Sequence, residues 1–400
     1  MSRNKGKAPK APKTQVTTAG RDPFANFGIV NPPVYHASTV LFKTLADLND
    51  AVKKPFDGVY YGRFGTPTTF AFEEAVAEIA GGDKAIATSS GLAAITCALT
   101  AFLKSGDHVL MVDTVYQPTR KFCDEMLKGF GIETTYYDPL IGGDIAQLIR
   151  DNTKLIFLES PGSLTFEVQD VPAIVAAAKA KGVLTLLDNT WGTPLNFKAF
   201  DKGIDISLEA ATKYIVGHAD AMLGIIICRE KHYKQLKSTV VTLGNSPGPD
   251  DCYLGLRGLR TLDVRLARHG ETGLQLAKWL ESRDEVERVI HPALPNDPGY
   301  PLWKRDFTGT CGLFAMILKP VSDSALAAML DEMDLFSMGF SWGGFESLIL
   351  PIKPEYCRTE TPWPPAGSKG GPLLRLHAGL EDIDDLIADL EAGFARLAAT

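Results

Sequence analysis

The stretch KAIATSSGLAAITCALTAFLKSGDHVLMVD, residues 84–113, sets the fold class of the chain. Apolar runs at its two ends are each long enough for a buried strand, and a longer run with helical character separates them. Alternation of this kind predicts an α/β fold with a mostly parallel sheet covered by helices on both faces. The pattern continues with a helix-like run at 171–182 and strand-like runs at 154–160, 183–189, 205–213 and 221–228.

A second unit follows the alternating region. The amphipathic stretch LDVRLARHGETGLQLAKWLES, residues 262–282, predicts a long connecting helix. Two strand-like runs and a terminal helix beyond it predict a smaller α+β C-terminal domain. We therefore expect a basic tail at 1–20, an N-terminal arm at 21–62, a large domain at 63–258 and a C-terminal domain at 259–400.

The composition disfavours several classes of protein. The 400 residues are 45% hydrophobic with a formal net charge of −7, so the chain lacks the basic face that nucleic acids or anionic membranes require. Residues 1–20 are basic and almost without apolar side chains, so we expect disorder there. No stretch approaches the roughly 18 apolar residues of a spanning helix, which favours a cytoplasmic protein. The six cysteines and seven histidines lack metal-site spacing, so neither a metal nor a disulfide framework is expected.

Gly91 and Leu92 open a helix directly after the first predicted strand. Their free backbone N–H groups would face a bound anion at the edge where ligands bind in such sheets. Taken alone, a glycine at a strand-to-helix turn serves only the turn. The chain lacks both G-x-G-x-x-G and G-x-x-x-x-G-K-[ST], which disfavours a dehydrogenase or a nucleoside-triphosphate site.

Asp188 and Lys213 end two further strand-like runs. A carboxylate after five apolar residues pays a desolvation cost unless a partner compensates it. Lys213, preceded by Thr212, is expected to be partly buried, and such a lysine loses its charge readily, as a Schiff-base amine must. Taken alone, Asp188 is explained by a helix cap or an ion pair, and Lys213 by an amine that reaches solvent.

Four more side chains each allow both a ligand-binding and a purely structural interpretation. Tyr116 follows a strand, where its ring either stacks on a flat ligand or packs in the core. Tyr61 and Arg63 share one side of an extended backbone and would hold a phosphate, unless they belong to a solvated loop. Arg375, flanked by leucines, needs an acidic partner or a bound carboxylate.

One cofactor, pyridoxal phosphate, requires all of these features together. Its aldehyde needs a lysine, its ring nitrogen a carboxylate, its phosphate backbone amides and its face an aromatic ring. The α-carboxylate of an amino-acid substrate needs an arginine. The strand ends bring these groups to one edge of the predicted sheet, so we expect pyridoxal phosphate to bind there.

From about Gly28 to the C-terminal helix, the chain also resembles a known family, the pyridoxal-phosphate enzymes of cysteine and methionine metabolism. The resemblance implies a seven-stranded, mostly parallel sheet in a large pyridoxal-phosphate-binding domain. It also implies a homotetramer of two tight dimers in which the arm contacts the neighbouring subunit. The motifs that carry it are, in order, YYGRFGTPT, SSGLAAI, ESPGSLTFEVQDVPAI, LLDNTWGTP, AATKYIVGHADAM, GLRTLDVRL, FSMGFSWGGFESL and LRLHAGLEDIDDLIADLEAGFARL.

The resemblance further implies a role for each site residue. Lys213 carries the cofactor and is catalytic together with Tyr116, whose ring stacks on the cofactor. Asp188 pairs with the ring nitrogen, and Tyr61 and Arg63 reach the phosphate bound by the neighbouring subunit. The other implied contacts are Gly91, Leu92 and Thr212 with the phosphate, and Tyr61, Ser341, Trp342 and Arg375 with the substrate.

Two stretches favour β-elimination over γ-chemistry within the family. SPGSL at 160–164 and SWGGFESL at 341–348 stand where γ-cleaving and γ-replacing relatives typically read S-P-T-N-P and L-G-G. The implied activity is a carbon–sulfur lyase that converts L-cystathionine to homocysteine, pyruvate and ammonia in methionine biosynthesis. A γ-lyase, γ-synthase or cysteine desulfhydrase is the alternative. Ala210 replaces a serine that many members use as a phosphate donor, so we expect a phosphate site with one donor fewer.

Overall fold

The computed structural model describes residues 10–399, and a seven-stranded sheet forms the centre of the larger of its two layered units. The strands lie in the order β1-β7-β6-β5-β4-β2-β3. β7 is antiparallel to both neighbours, and the other adjacent pairs are parallel, which confirms the predicted fold class. The strands are β1 Lys84–Thr88, β2 His108–Val112, β3 Glu133–Tyr137, β4 Thr153–Glu159, β5 Leu184–Asp188, β6 Ile206–Glu209 and β7 Gly224–Cys228.

A second sheet of four antiparallel strands, in the order β10-β11-β9-β8, forms the smaller unit. Its strands are β8 Val286–Ile290, β9 Leu313–Leu318, β10 Leu348–Ile352 and β11 Leu373–His377. The helices of the chain are α1 Pro12–Thr18, α2 Leu45–Lys53, α3 Pro67–Ala80, α4 Gly91–Phe102, α5 Gln117–Lys121, α6 Val171–Ala180, α7 Thr193–Asn196, α8 Glu230–Thr242, α9 Pro249–Leu259, α10 Leu262–Leu280, α11 Tyr300–Asp306, α12 Asp323–Leu330 and α13 Ile383–Ala398.

The central strands read as continuous apolar runs because helices cover the sheet. All five residues of β2 and of β7 are buried. α3 and α4 pack against β1 and β7, and α6 packs against β5. In the smaller unit, Leu386, Leu390 and Phe394 of α13 are buried in a separate apolar cluster with β9 and β11. The turn that follows β6 contacts the smaller unit, because Lys213 Nζ donates to Ser341 Oγ at 2.8 Å.

The N-terminal region corrects one expectation. Residues 12–18 form α1, although the sequence predicts disorder over 1–20. Val16 and Ala19 are 1% and 2% exposed, and their carbonyl oxygens both accept hydrogen bonds from Arg260 Nη1 at 2.9 Å. A distant arginine thus orders a segment whose composition alone is typical of disorder. The rest of the predicted tail, residues 1–9, lies outside the described residues.

Three properties of residues 10–399 concern membranes, metals and thiols. None of the helices in that range is both long enough and apolar enough to cross a bilayer. The same range contains no group of three or more His, Cys, Asp or Glu side chains arranged to hold a metal ion. All six cysteines are free thiols, and five of them are buried.

Candidate active site

Three parallel neighbours of the large sheet end in carboxylic acids. Glu159 ends β4, Asp188 ends β5 and Glu209 ends β6. Glu159 and Asp188 are paired residues in the strand register. The chain then turns after β6 and places Lys213 close enough to Asp188 for their charges to interact. The carboxyl edge of the sheet therefore brings together the predicted lysine and the predicted carboxylate.

Lys213 has an amine that is held in place and easily deprotonated. Its Nζ donates to Ser341 Oγ at 2.8 Å and lies 5.3 Å from the centroid of the Trp342 ring. Burial, reinforced by the positive charge of Arg375, lowers the pKa of Lys213 from 10.5 to about 8, and Asp188 opposes this shift. An amine with such a pKa is available as a nucleophile and base near neutral pH.

Asp188 is fixed by a residue that the sequence analysis missed. Its Oδ1 accepts hydrogen bonds from Thr190 N at 3.0 Å and Thr190 Oγ1 at 2.5 Å. Thr190 Oγ1 in turn accepts from Ala210 N at 2.9 Å, which joins the end of β5 to the Lys213 turn. Burial raises the pKa of Asp188, while the Thr190 bonds and Lys213 oppose the rise. An acidic residue with a hydroxyl residue two positions later is a local turn signal that was available in LLDNTWG.

Arg375 reaches the site from the smaller sheet. It is only 9% exposed, and its Nη2 donates to the carbonyl oxygens of Gly339, Phe340 and Ser341 at 3.1, 2.9 and 3.1 Å. Burial lowers the pKa of Arg375 to about 10, and Tyr116 opposes this. One side of the guanidinium is therefore anchored on the segment that carries Ser341, and no acidic side chain is among these partners.

Tyr116 lies at the same edge and is held by a second residue that the sequence analysis missed. Its backbone N donates to Glu159 Oε2 at 2.8 Å. Burial, followed by the nearby charges of Glu159 and Asp188, raises the pKa of the Tyr116 hydroxyl, and Arg375 opposes the rise. The residue is 45% exposed and thus available to a ligand. Glu159 ends an apolar run exactly as Asp188 does, so the same signal would have found it.

Gly91 begins α4 against the Lys213 turn. A Cβ on Gly91 would lie 2.5 Å from Ala210 Cβ and 2.9 Å from its Cα, so only glycine permits this approach. Leu92, 37% exposed, follows at the helix start, where free N–H groups suit a phosphate. The Thr212 hydroxyl already accepts from Leu223 N at 2.9 Å and donates to Leu223 O at 3.1 Å. The phosphate roles of these residues remain predictions.

Among the described residues, 10–399, no hydrogen bond, ion pair or ring contact joins Tyr61 or Arg63 to Lys213. Arg63 Nη1 donates to the carbonyl oxygen of Val241 in α8, and its guanidinium lies 5.0 Å from the Phe64 ring. Tyr61 is 42% exposed. The expectation that both act on the cofactor of a neighbouring subunit stays a prediction.

The donor set at this edge fits pyridoxal phosphate. A lysine with a lowered pKa, a positioned carboxylate, an exposed tyrosine and a helix start lie at the carboxyl edge of the sheet. These are the groups required by the aldehyde, the ring nitrogen, the ring face and the phosphate. Glu159 and Glu209 add two further acids, and burial raises the pKa of each.

Comparison with known proteins agrees with this geometry. Residues 13–395 match the Cys/Met metabolism PLP-dependent enzyme family. Cystathionine beta-lyase MetC of Escherichia coli is 46% identical over 98% of this chain and 100% of its own, and the L-alanine/L-glutamate racemase of Wolbachia pipientis is 42% identical over 92% and 93%. The crystal structure of cystathionine gamma synthase from Xanthomonas oryzae in complex with cystathionine is 32% identical, with a TM-score of 0.88 over 98% of this chain and 100% of that one. The chain therefore belongs to the pyridoxal-phosphate-dependent enzymes of cysteine and methionine metabolism.

Proposed function

We propose that this chain is a carbon–sulfur lyase that cleaves L-cystathionine by β-elimination to homocysteine and a three-carbon enamine, which one water molecule hydrolyses to pyruvate and ammonia. The observation that carries the proposal is the placement of the Lys213 amine between Ser341 and the charges of Asp188 and Arg375. Similarity to a full-length relative named cystathionine beta-lyase supports this choice of substrate. The reaction takes its place in methionine biosynthesis.

Each positioned side chain has one task in this reaction. Arg375 binds the α-carboxylate of the substrate, with Ser341 and Trp342 at its side, and so orients the Cα–H bond. Lys213 removes the Cα proton as general base, and its bond to Ser341 Oγ directs the amine. Asp188, fixed by Thr190, keeps the cofactor's ring nitrogen protonated. When bound, pyridoxal phosphate supplies the electron sink for the charge that develops at Cα.

A product assay separates the proposed reaction from its rivals. We expect purified enzyme loaded with pyridoxal phosphate to release pyruvate and homocysteine from L-cystathionine. Release of 2-oxobutanoate and cysteine instead would establish γ-elimination. Interconversion of L- and D-alanine without C–S cleavage would establish a racemase, an activity that the similar Wolbachia protein makes necessary to test.

A variant pair assigns the chemistry to one lysine. Lys213→Ala should lower pyruvate release by at least about 10²–10⁴-fold, because it removes a general base and the cofactor's covalent anchor together. Lys198→Arg is the matched control: Lys198 is also a partly buried lysine whose pKa burial lowers, but its Nζ donates to the Ile79 carbonyl outside the site. Full activity of the Lys213 variant would contradict the assignment.

We further propose that the chain works in the cytoplasm as a homotetramer of two dimers, with the division at residue 258/259 separating the cofactor-binding domain from the C-terminal domain. The arm at 21–62 supports the assembly. Its apolar side chains are open to solvent in the single chain, as shown by Phe24 at 86%, Phe27 at 101% and Leu41 at 90% exposure. A neighbouring subunit that covers the arm would bury these side chains.

A further inference from the structure

We propose that His377 is a positioning residue for the reaction: it fixes how deeply the segment 341–347, here called the substrate loop, is seated against the Lys213 turn. This inference concerns the site of the proposed function and uses its reaction for one of two readouts. The substrate loop begins with Ser341 and Trp342, which contact the Lys213 amine. The depth of the loop therefore determines where that amine points.

The substrate loop meets the Lys213 turn backbone to backbone. Gly343 has a φ of +85°, and a Cβ placed on it would lie 3.0 Å from the Lys213 carbonyl carbon and 3.0 Å from Tyr214 N. At this separation no side chain lies between the two backbones, so a displacement of the loop is not absorbed by side-chain movement. A shift of Gly343 is thus transmitted to its neighbours Trp342 and Ser341.

His377 binds the loop at this contact. Its Nε2 lies 3.0 Å from Gly343 N and 3.2 Å from Gly344 O, and the residue is 1% exposed. With the proton on Nδ1 the ring accepts from Gly343, and with the proton on Nε2 it donates to Gly344. In either neutral form, one ring nitrogen ties β11 to the turn of the substrate loop.

The surroundings of His377 keep its ring neutral. Burial lowers the pKa of His377 well below its ordinary value, and the nearby His269, Arg375 and Lys213 lower it further. His269 of α10 lies 5.1 Å away, ring to ring, and Tyr214 lies 6.0 Å away. A neutral ring leaves Nε2 able to accept from Gly343 N or to donate to Gly344 O.

A buried histidine elsewhere supplies the matched control. His291 is 0% exposed, and its Nδ1 accepts from Ala293 N at 3.1 Å, so it too binds a backbone N–H through one ring nitrogen. Its other contacts are with Phe314 and Thr310, away from Lys213. Replacing either histidine by phenylalanine removes the same kind of bond from the same kind of environment.

The test compares His377→Phe, His377→Gln and His291→Phe by two measurements. The first is the pH midpoint at which the Lys213 amine of the cofactor-free, full-length protein reacts with an acylating reagent, followed by peptide mass spectrometry. The second is kcat/KM for L-cystathionine in the loaded enzyme. Glutamine places an amide near the position of Nε2, whereas phenylalanine keeps the ring volume and loses the bond.

We expect His377→Phe to move the Lys213 midpoint upward from about 8 toward 10.5, because a loosened loop admits water to the amine. We expect its kcat/KM to fall by up to about 10²-fold, as a displacement near 1 Å costs. His377→Gln and His291→Phe should stay near wild type in both measurements. A midpoint and kcat/KM for His377→Phe equal to those of His291→Phe would overturn the proposal.

His377→Asn covers the case in which the phenylalanine variant does not fold. Its shorter amide cannot reach Gly343, so it should reproduce the upward midpoint, and a folded His377→Asn protein with wild-type values would overturn the proposal. The labelling midpoint depends on no substrate. If L-cystathionine yields no pyruvate, the proposed function fails, while the midpoint still decides whether His377 positions the loop.

Discussion

The Lys213 amine lies in surroundings that disfavour its charged form. We expect its acylation in the cofactor-free protein to show a pH midpoint near 8, well below the 10.5 of a solvated lysine. Asp188→Asn should move the midpoint further down, because the Asp188 carboxylate stabilises the ammonium form. A midpoint at 10.5 in the wild type, or an upward shift in the variant, would contradict the burial and charge pattern of the site.

Among the site residues described above, Arg375 is the one arginine that comes from the smaller unit. Its planar guanidinium can form two parallel hydrogen bonds to a carboxylate, and this geometry leads to a second prediction. Arg375→Leu should raise KM for cystathionine and lower kcat/KM by about 10²-fold, and Arg375→Lys should restore little because an ammonium cannot form two parallel bonds. Arg150→Leu serves as the control, since Arg150 is exposed and pairs with Glu133, the first residue of β3, at the amino ends of the parallel strands. Unchanged kinetics in Arg375→Leu would remove Arg375 from the substrate site.

At the scale of elements, the segment between β10 and β11 is attached to the large unit by Asp113. This carboxylate directly follows β2, is 0% exposed and accepts from the backbone N of Thr359, Glu360 and Thr361 at 2.8–3.0 Å and from two of their hydroxyls. Arg120 Nη2 adds an ion pair at 2.5 Å. The element that leads into Arg375 is therefore tied to the loop that leads into Tyr116.

Asp113→Asn should destabilise the fold by about 3–5 kcal/mol, because it leaves the buried Arg120 without its counter-charge. Burial alone would raise the pKa of Asp113, but the bonds from Thr359 and Thr361 and the charge of Arg120 hold it below the ordinary value. A carboxylate with a depressed folded pKa stabilises the fold above its unfolded pKa and loses that effect as the pH falls through the folded value. Urea denaturation of wild type and variant should accordingly give a difference in the free energy of unfolding that is constant near neutral pH and becomes smaller below about pH 4. Equal stability of the two proteins at pH 7 would contradict this role of Asp113.

The sequence predicted the buried strands better than it predicted the N-terminal helix. Alternation of apolar runs was sufficient for β1, β2 and β4 to β7 because each buried strand must be apolar on both faces. It missed the edge strand β3, of which only Tyr137 is buried. It was insufficient for α1, where the decisive interaction is a hydrogen bond from Arg260, more than 240 positions away in the chain. No local pattern in residues 12–18 reports on that partner.

At the scale of the whole molecule, the position of Arg63 yields a test of subunit sharing. Arg63 contacts α8 of its own chain and not the Lys213 turn, whereas the proposed assembly has it serve the neighbouring site. We expect inactive Arg63→Ala and inactive Lys213→Ala proteins to regain activity when unfolded and refolded together, because each mixed dimer then contains one site with neither substitution.

The control is refolding of each variant alone, which should restore nothing. If Arg63 acts within its own chain, every site in a mixed dimer carries one defect, and the mixture should stay inactive. Sedimentation of the wild type should in addition give the mass of four 43.3 kDa chains, and a monomer would contradict the assembly.

The residue types needed for the chemistry can be identified from the sequence. A lysine, a carboxylate or an arginine that interrupts an apolar run has a desolvation cost on burial unless a partner or a ligand compensates it. The sequence does not show the partners of Thr190, Glu159 and His377. Each bonds to a residue that is distant in sequence or belongs to another element, namely Ala210, Tyr116 and Gly343 respectively. Strand order and domain packing create those pairs, and neither is encoded in any local stretch. The residues thus specify which groups are present, and the folded chain alone specifies their distances, their burial and therefore their pKa.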